Sequence, residues 1–316
     1  MPTTRAEPVA DAASSHEPAP RPLDEAALRA WPLPEPPADS DKESRGRVLI
    51  VGGSHEMPGA VILAGIAALR AGAGKLQIAT GGSVAQLVAQ AVPESRVLRL
   101  PETPDGGLDA AGIDAIAENA RRADAVLIGP GMLDEDASCE LVARILAGIE
   151  NGTVVLDAAA MGVVRGACPI PFGLPVVMTP HAGEMAHLTG IDRERICEAA
   201  PAAALEAARR WNAVVALKGA VTHLADPQGA LWRHDGGSVG LGTSGSGDVL
   251  AGIVTGLAAR GASAAQACAW GVVLHGRAGV RAAGLAGGPL GYLAGELAVH
   301  VPGLMHAIGG KPPIAD

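Results

Sequence analysis

Short apolar runs alternating with stretches of helical spacing leave this chain few ways to fold. The runs are RVLIV (47–51), KLQIA (75–79), AVLIG (125–129), TVVLD (153–157), PVVMT (175–179) and AVVALKG (213–219). Helical patterns over 59–71, 83–91, 109–121, 135–149 and 183–210 lie between most of them. Such alternation is the mark of βαβ units, so an α/β fold with a doubly wound, mainly parallel sheet is expected. The runs are apolar without interruption, as strands are when helices cover both faces of the sheet. After 219 the order changes. VTHLADPQGALWRHD reads as two strands joined by a D-P-Q-G turn. From 247 onward the pattern is almost wholly helical, over 247–260, 263–283 and about 290–301. Residues 1–22 are rich in Pro, Ala and Glu without an apolar period and are expected to be a disordered tail. Residues 23–316 are expected to form a single domain, entered through one short helix and an extended proline segment (LDEAALRAWPLPEPP).

Composition narrows the function classes. Aromatic residues make up only 2% of the chain, so the core must be aliphatic. The net charge is −9 and no basic tract is present, which excludes a phosphate-neutralising face for nucleic acid. No run approaches the roughly 20 apolar residues of a membrane span. The N-terminus lacks a basic segment followed by an apolar one, so a cytoplasmic location is expected. Cys139, Cys168, Cys197 and Cys268 form no C-x-x-C pair and no zinc spacing with histidine; they are read as reduced, mostly buried thiols.

The chemistry concentrates in LGTSGSGDVLAG, residues 241–252. The apolar spacing from Val249 onward starts a helix at about 247. Free N–H groups and partial positive charge at a helix start bind anions, and the glycines before it let a phosphate approach the backbone. Gly245, Ser246 and Gly247 would cradle that phosphate, and Asp248 beside it could accept a proton. Equally, Asp248 could only charge a helix start. VGGSHEMPGA (51–60) and IGPGM (128–132) each end a strand and border the crevice where open α/β sheets bind ligands, or are ordinary turns. Asp157 ends a buried strand, where an acid is costly unless paired or functional. Lys218, in LKGAVT, could place a point charge on a phosphate or be a strand-end surface lysine. His275 is read as a packed mid-helix residue, and the remaining histidines other than His181 carry no constellation.

GSGDVLAG resembles the G-x-G-D anion hole of ribokinase-fold enzymes. From about Leu23 the chain resembles the stand-alone ADP/ATP-dependent NAD(P)H-hydrate dehydratases. The likeness runs through RGRVLIVGGS, PGAVILAGIAALRAGAGKLQIAT, IGPGM, VVLDAAAM, MTPHAGEMAHLTG, VVALKGAVTHLADPQG, LHGRAG and GPLGYLAGELAVHVP. It implies a ribokinase-like fold and return of the S-hydrate of NADH or NADPH (NADHX, NADPHX) to the active coenzyme, with ADP or ATP as co-substrate and Mg²⁺. It implies Asp248 as catalytic base and Ala60, Gly131, His181 and Asp248 against the hydrate. Lys218, Gly219, Ala220, Val221 and Thr222, with Gly245, Ser246 and Gly247, would take the nucleotide. MTPHAGE resembles the T-P-N-x-x-E segment of vitamin kinases of this fold, so Glu184 would hold Mg²⁺ through water, or else merely sit in a helix's first turn. A homo-oligomer, in the form of a tetramer, is also expected. Two-function relatives carry an epimerase domain ahead of this one; the about 45 residues before RGRVLIV are too few for a domain. Related chains read D-A-D-A-L where this one has Ala159 in place of the second acid. The rival readings are a vitamin kinase for hydroxymethylpyrimidine or pyridoxal, and a non-catalytic nucleotide sensor. His181 in place of Asn counts against the first, and the intact Asp248 and glycine loop against the second.

Overall fold

The structure is a computed structural model and describes residues 19–35, 39, 41–166 and 170–310. The chain runs β1 (Arg21–Pro22), α1 (Glu25–Arg29), β2 (Arg47–Val51), α2 (Pro58–Arg70), β3 (Lys75–Gly81), α3 (Ala85–Ala91), β4 (Ser95–Leu100), α4 (Ile113–Arg122), β5 (Ala125–Ile128) and α5 (Glu135–Gly148). It continues with β6 (Thr153–Leu156), a 3₁₀ segment over Ala158–Arg165, β7 (Val176–Met178), α6 (Ala182–Thr189), α7 (Arg193–Glu198), α8 (Ala200–Trp211) and β8 (Val214–Leu217). The hairpin β9 (Thr222–Ala225) and β10 (Leu231–His234) follows, then α9 (Ser246–Ala259), α10 (Ala264–Ala286) and α11 (Val301–Ile308).

The strands form one sheet in the order β1-β10-β9-β8-β7-β6-β5-β2-β3-β4. From β4 to β8 every pairing is parallel; β9 and β10 then turn back antiparallel. Strands β2, β5, β6, β7 and β8 divide their residues between two apolar cores. Ile50, Leu127 and Val155 face α2, α9 and α10, while Leu49, Val126 and Val154 face the α4, α5 and α8 side. Burial on both faces explains their unbroken apolar sequences.

Several elements depart from expectation. SRVLRL forms β4, an edge strand whose two arginines are exposed, so its sequence lacks the apolar continuity of the central strands. The single helix expected over 183–210 is three: Gly190, at φ +75°, ends α6 in the left-handed conformation, and α8 starts anew at Ala200. The helix expected near 290–301 is two 3₁₀ turns, with the regular helix beginning only at Val301. The expected tail lies outside the described residues as far as 18. Its last two residues, however, extend the sheet, with Arg21 and Pro22 pairing parallel with Trp232 and Arg233. Cys139 and Cys268 are buried free thiols and Cys197 is exposed; Cys168 falls outside the described residues. Among the described residues no helix is long and apolar enough to cross a membrane.

Two packing features position the site. Helices α2 and α9 touch backbone to backbone: a Cβ at Gly252 would overlap the Ala64 carbonyl, and one at Gly256 the Ala68 carbonyl. At the other edge, residues 21–35 strap the sheet to α10. Leu28 is fully buried, Trp31 stacks on Trp232 at 5.9 Å, and the Trp31 carbonyl accepts from Trp270 Nε1 at 2.8 Å.

Candidate active site

Parallel strands align their carboxyl ends, and the loops leaving β2, β5, β6, β7 and β8 therefore converge on one edge of the sheet. Glycine makes the approach possible. Gly129, at φ +126°, has no room for a Cβ beside the Asp157 carbonyl. Gly131, at φ +66°, faces the first turn of α2, where a Cβ on it would come within 2.8 Å of that of Ala60. These two expected substrate residues thus form one wall.

The second wall is the start of α9. Gly245 takes φ +87°, and Ser246 then opens the helix. A Cβ at Gly247 would lie 3.5 Å from Lys218 Nζ and 4.0 Å from Asp157 Oδ2, so the turn, the lysine and this second acid share one space. Asp248 stands in the first helical turn. Burial pushes its carboxyl up to about 7, the Asp157 charge adds to the effect, and Lys218 opposes it. A carboxyl at that value can take up a proton near neutrality.

Asp157 is 3% exposed and paired: Thr179 Oγ1 donates to its Oδ1 at 2.7 Å, and Lys218 Nζ lies 3.8 Å away. Lys218 also lies 4.0 Å from Glu184 Oε2, so its ammonium sits between two carboxylates. Its backbone N–H donates to the Pro180 carbonyl at 2.8 Å, carrying the β7–β8 register into the loops. The surface-lysine alternative therefore does not describe Lys218. Gly219, Ala220 and Val221 form the turn that follows, open to solvent at Gly219 and Ala220, and Thr222 begins β9.

His181 is the N-cap of α6. Its Nδ1 accepts from the N–H groups of Gly183 (3.0 Å) and Glu184 (3.1 Å), while Glu184 Oε2 accepts from the His181 N–H at 2.7 Å. With Nδ1 an acceptor, the ring proton of the neutral imidazole belongs on Nε2. Glu184 is thus a capping residue as well as a neighbour of Lys218. A cavity of about 380 Å³ opens beside this pair, walled by Ala158, Ala159, Gly162 and His187. Ala159 contributes an apolar methyl to that wall. Behind it Glu135 holds His187 Nε2 at 2.9 Å and Arg165 at 3.2 Å.

Sequence reasoning missed four residues. Thr179 lies within the quoted MTPHAGE segment, but its hydrogen bond is to Asp157, 22 residues away. His187 and Glu135 meet from separate helices. His275 Nε2 lies 2.9 Å from Ser246 Oγ, a contact that helical spacing cannot reveal. Among the described residues no three His, Cys, Asp or Glu side chains are grouped to hold a metal ion.

A glycine turn at a helix start, an acid whose carboxyl is raised to about 7 and a half-buried lysine lie together at the carboxyl edge of a parallel sheet, on an α/β fold of the ribokinase-like class. A ribokinase-like superfamily protein of Enterococcus faecalis V583 superposes with a TM-score of 0.77 at 25% identity, covering 91% of this chain and 96% of that one. The sequence model of the NAD(P)H-hydrate dehydratase family matches residues 48–302, and the chain belongs to that family. An ADP-dependent (S)-NAD(P)H-hydrate dehydratase of Xanthomonas campestris pv. campestris is 51% identical over 283 residues, 89% of this chain and 94% of the relative. The Bacillus subtilis ADP/ATP-dependent NAD(P)H-hydrate dehydratase, co-crystallised with ATP and Mg²⁺, superposes with a TM-score of 0.76 at 30% identity, covering 91% of this chain and 98% of that one.

Proposed function

We propose that this protein dehydrates the S-hydrate of NADH or NADPH at the expense of ADP, releasing NAD(P)H, AMP and phosphate. The observation that carries this reading is Asp248, a carboxyl raised to about 7 beside the Gly245–Gly247 turn and Lys218. Asp248 takes the proton of the ring hydroxyl as that oxygen attacks the terminal phosphorus of ADP. The new O–P bond forms, the bond to the AMP oxygen breaks, and AMP departs. The ring nitrogen lone pair then expels phosphate, and loss of a proton from the neighbouring ring carbon restores the double bond. The backbone N–H groups of 245–247 and Lys218 Nζ offset the charge on the transferring group, where positioning and electrostatics carry most of the rate. His181, its Nδ1 engaged by the α6 cap, presents Nε2–H to the hydrated ring; Ala60 and Gly131 form the wall opposite.

The carboxylates suit a hydrated Mg²⁺ carried on nucleotide phosphates better than a protein-caged ion, since Mg²⁺ accepts one or two carboxylates plus water and phosphate. Glu184 would hold it through water, and the ion would neutralise phosphoryl charge. We assign Lys218 to Thr222 to the nucleotide, and a cytoplasmic homo-oligomer, a tetramer, as the working form. The test is recovery of NADH absorbance from its hydrate with and without ADP. ADP-dependent recovery with AMP and phosphate released is expected. Accumulation of a phosphorylated vitamin, or ADP binding without turnover, would replace this reading by one of the two rivals.

A further inference from the structure

We propose that His275 is a positioning residue for phosphoryl transfer, holding the Ser246 hydroxyl so that its proton points at the group in flight. The proposal rests on the dehydratase reading above and concerns a residue on a different element from the anion-binding turn. Ser246 is the first residue of α9 and 4% exposed. A serine near a helix start commonly turns its hydroxyl onto local backbone. Here the Oγ instead meets His275 Nε2, 2.9 Å away on α10, from 29 residues further along the chain. Helix α10 is brought close by glycine: a Cβ at Gly271, one turn before His275, would press on Val254 of α9.

The imidazole is held neutral. Burial, helped by the Lys218 charge nearby and opposed by the Ser246 backbone, pushes it down to about 4. A neutral ring carries one N–H, so the pair has two arrangements. If the hydroxyl donated to Nε2, its lone pairs would face the turn that gathers the phosphate's negative charge. If Nε2–H donates to Oγ, the hydroxyl keeps its own proton free for a phosphoryl oxygen. The phosphoryl group in transfer, with its charge spread over its oxygens, selects the second arrangement. The neutral ring thereby adds a fixed donor to the backbone N–H groups of the turn without adding charge next to Asp248.

The test uses the full chain and four variants in the NADH-recovery assay, with ADP affinity measured by calorimetry. His275→Leu removes the donor at similar volume and should lower kcat about tenfold, as loss of an outer orienting group does. The ADP dissociation constant should stay within about twofold, because the interaction is made in the transition state. His275→Gln, whose amide can donate to Oγ, should recover kcat to within about threefold of wild type. Ser246→Ala should lose at least as much as His275→Leu, and the double variant no more than Ser246→Ala alone, since the two act as one unit. A residue that merely packs would lower stability, would not be rescued by Gln, and would add its loss to that of Ser246→Ala. Wild-type kcat in His275→Leu, or additive losses in the double variant, would overturn the role. Should His275→Leu not fold, Ser246→Ala decides: wild-type kcat there removes the hydroxyl on which the inference depends, and a loss with ADP affinity kept supports it. A wild-type protein without ADP-dependent recovery would instead overturn the dehydratase reading, and this inference with it.

Discussion

At the scale of single residues, Asp248 sets the pH behaviour. Its carboxyl sits at about 7 in the folded protein against an ordinary 3.8, so the native state keeps a proton that the unfolded chain has lost. Stability from this group therefore falls as pH rises through that window and stays low above it. Asp248→Asn removes the buried charge while Asn remains compatible with a helix start. The variant should melt higher than wild type at pH 8, and the difference should vanish below the ordinary carboxylate range; calorimetric scans at the two ends of the window check this. Turnover should move the opposite way. For wild type, kcat/KM should rise with pH to a plateau above about 7, and in the variant it should fall by about 10²-fold or more with ADP still bound. Asp248 was legible in the sequence because its whole context, three glycines, three small hydroxyls and a helix, is local. Thr179 and His275 were not, because each acts on a partner that only the fold brings near.

Among the elements, α6 shows how a residue proposed to bind substrate can also carry a structural duty. His181 closes both halves of a capping box, so replacing it tests two roles together. His181→Asn separates them, because Asn caps well but sets its donor elsewhere. Melting temperature should change little, while KM for the hydrate should rise about fivefold to tenfold, the worth of one neutral hydrogen bond. His181→Ala should lower both stability and substrate affinity. The α2–α9 seam makes a sharper demand. At Gly252 the atom in the way is a backbone carbonyl that cannot swing aside. Gly252→Ala should therefore cost about 1–3 kcal/mol, measured by denaturant unfolding. The central strands and the paired helices α9 and α10 were readable because their apolar period continues end to end. β4 was not, as an edge strand with exposed arginines shows neither continuous burial nor strict alternation. The breaks inside 183–210 follow from Gly190 and from Pro201 in the first turn of α8, cues that periodicity overran.

For the whole molecule, the alternation of runs and helices was enough to foresee the parallel sheet and the edge on which the site lies. It could not reveal that Arg21 and Pro22, read as the end of a tail, add a strand to the sheet. β1 has two residues, one a proline, and residues 23–35 hold on largely through backbone carbonyls, which leave no trace in side-chain pattern. Deleting residues 1–18 should leave melting temperature and turnover at wild-type values. Deleting 1–35 should lower the melting temperature by at least about 5 °C, since burying Leu28 alone is worth about 2–5 kcal/mol. The seam also bears on handedness. The hydrate occurs in two forms that differ only in the configuration of the carbon that gained water. Telling them apart takes three points of contact whose spacing does not float. Ala60 rides on α2, Asp248, the proposed proton acceptor, rides on α9, and no side chain lies between those helices at Gly252 and Gly256 to flex. If His181, pinned by its own cap, is the third point as proposed, the pocket would accept one configuration and refuse its twin by distance alone.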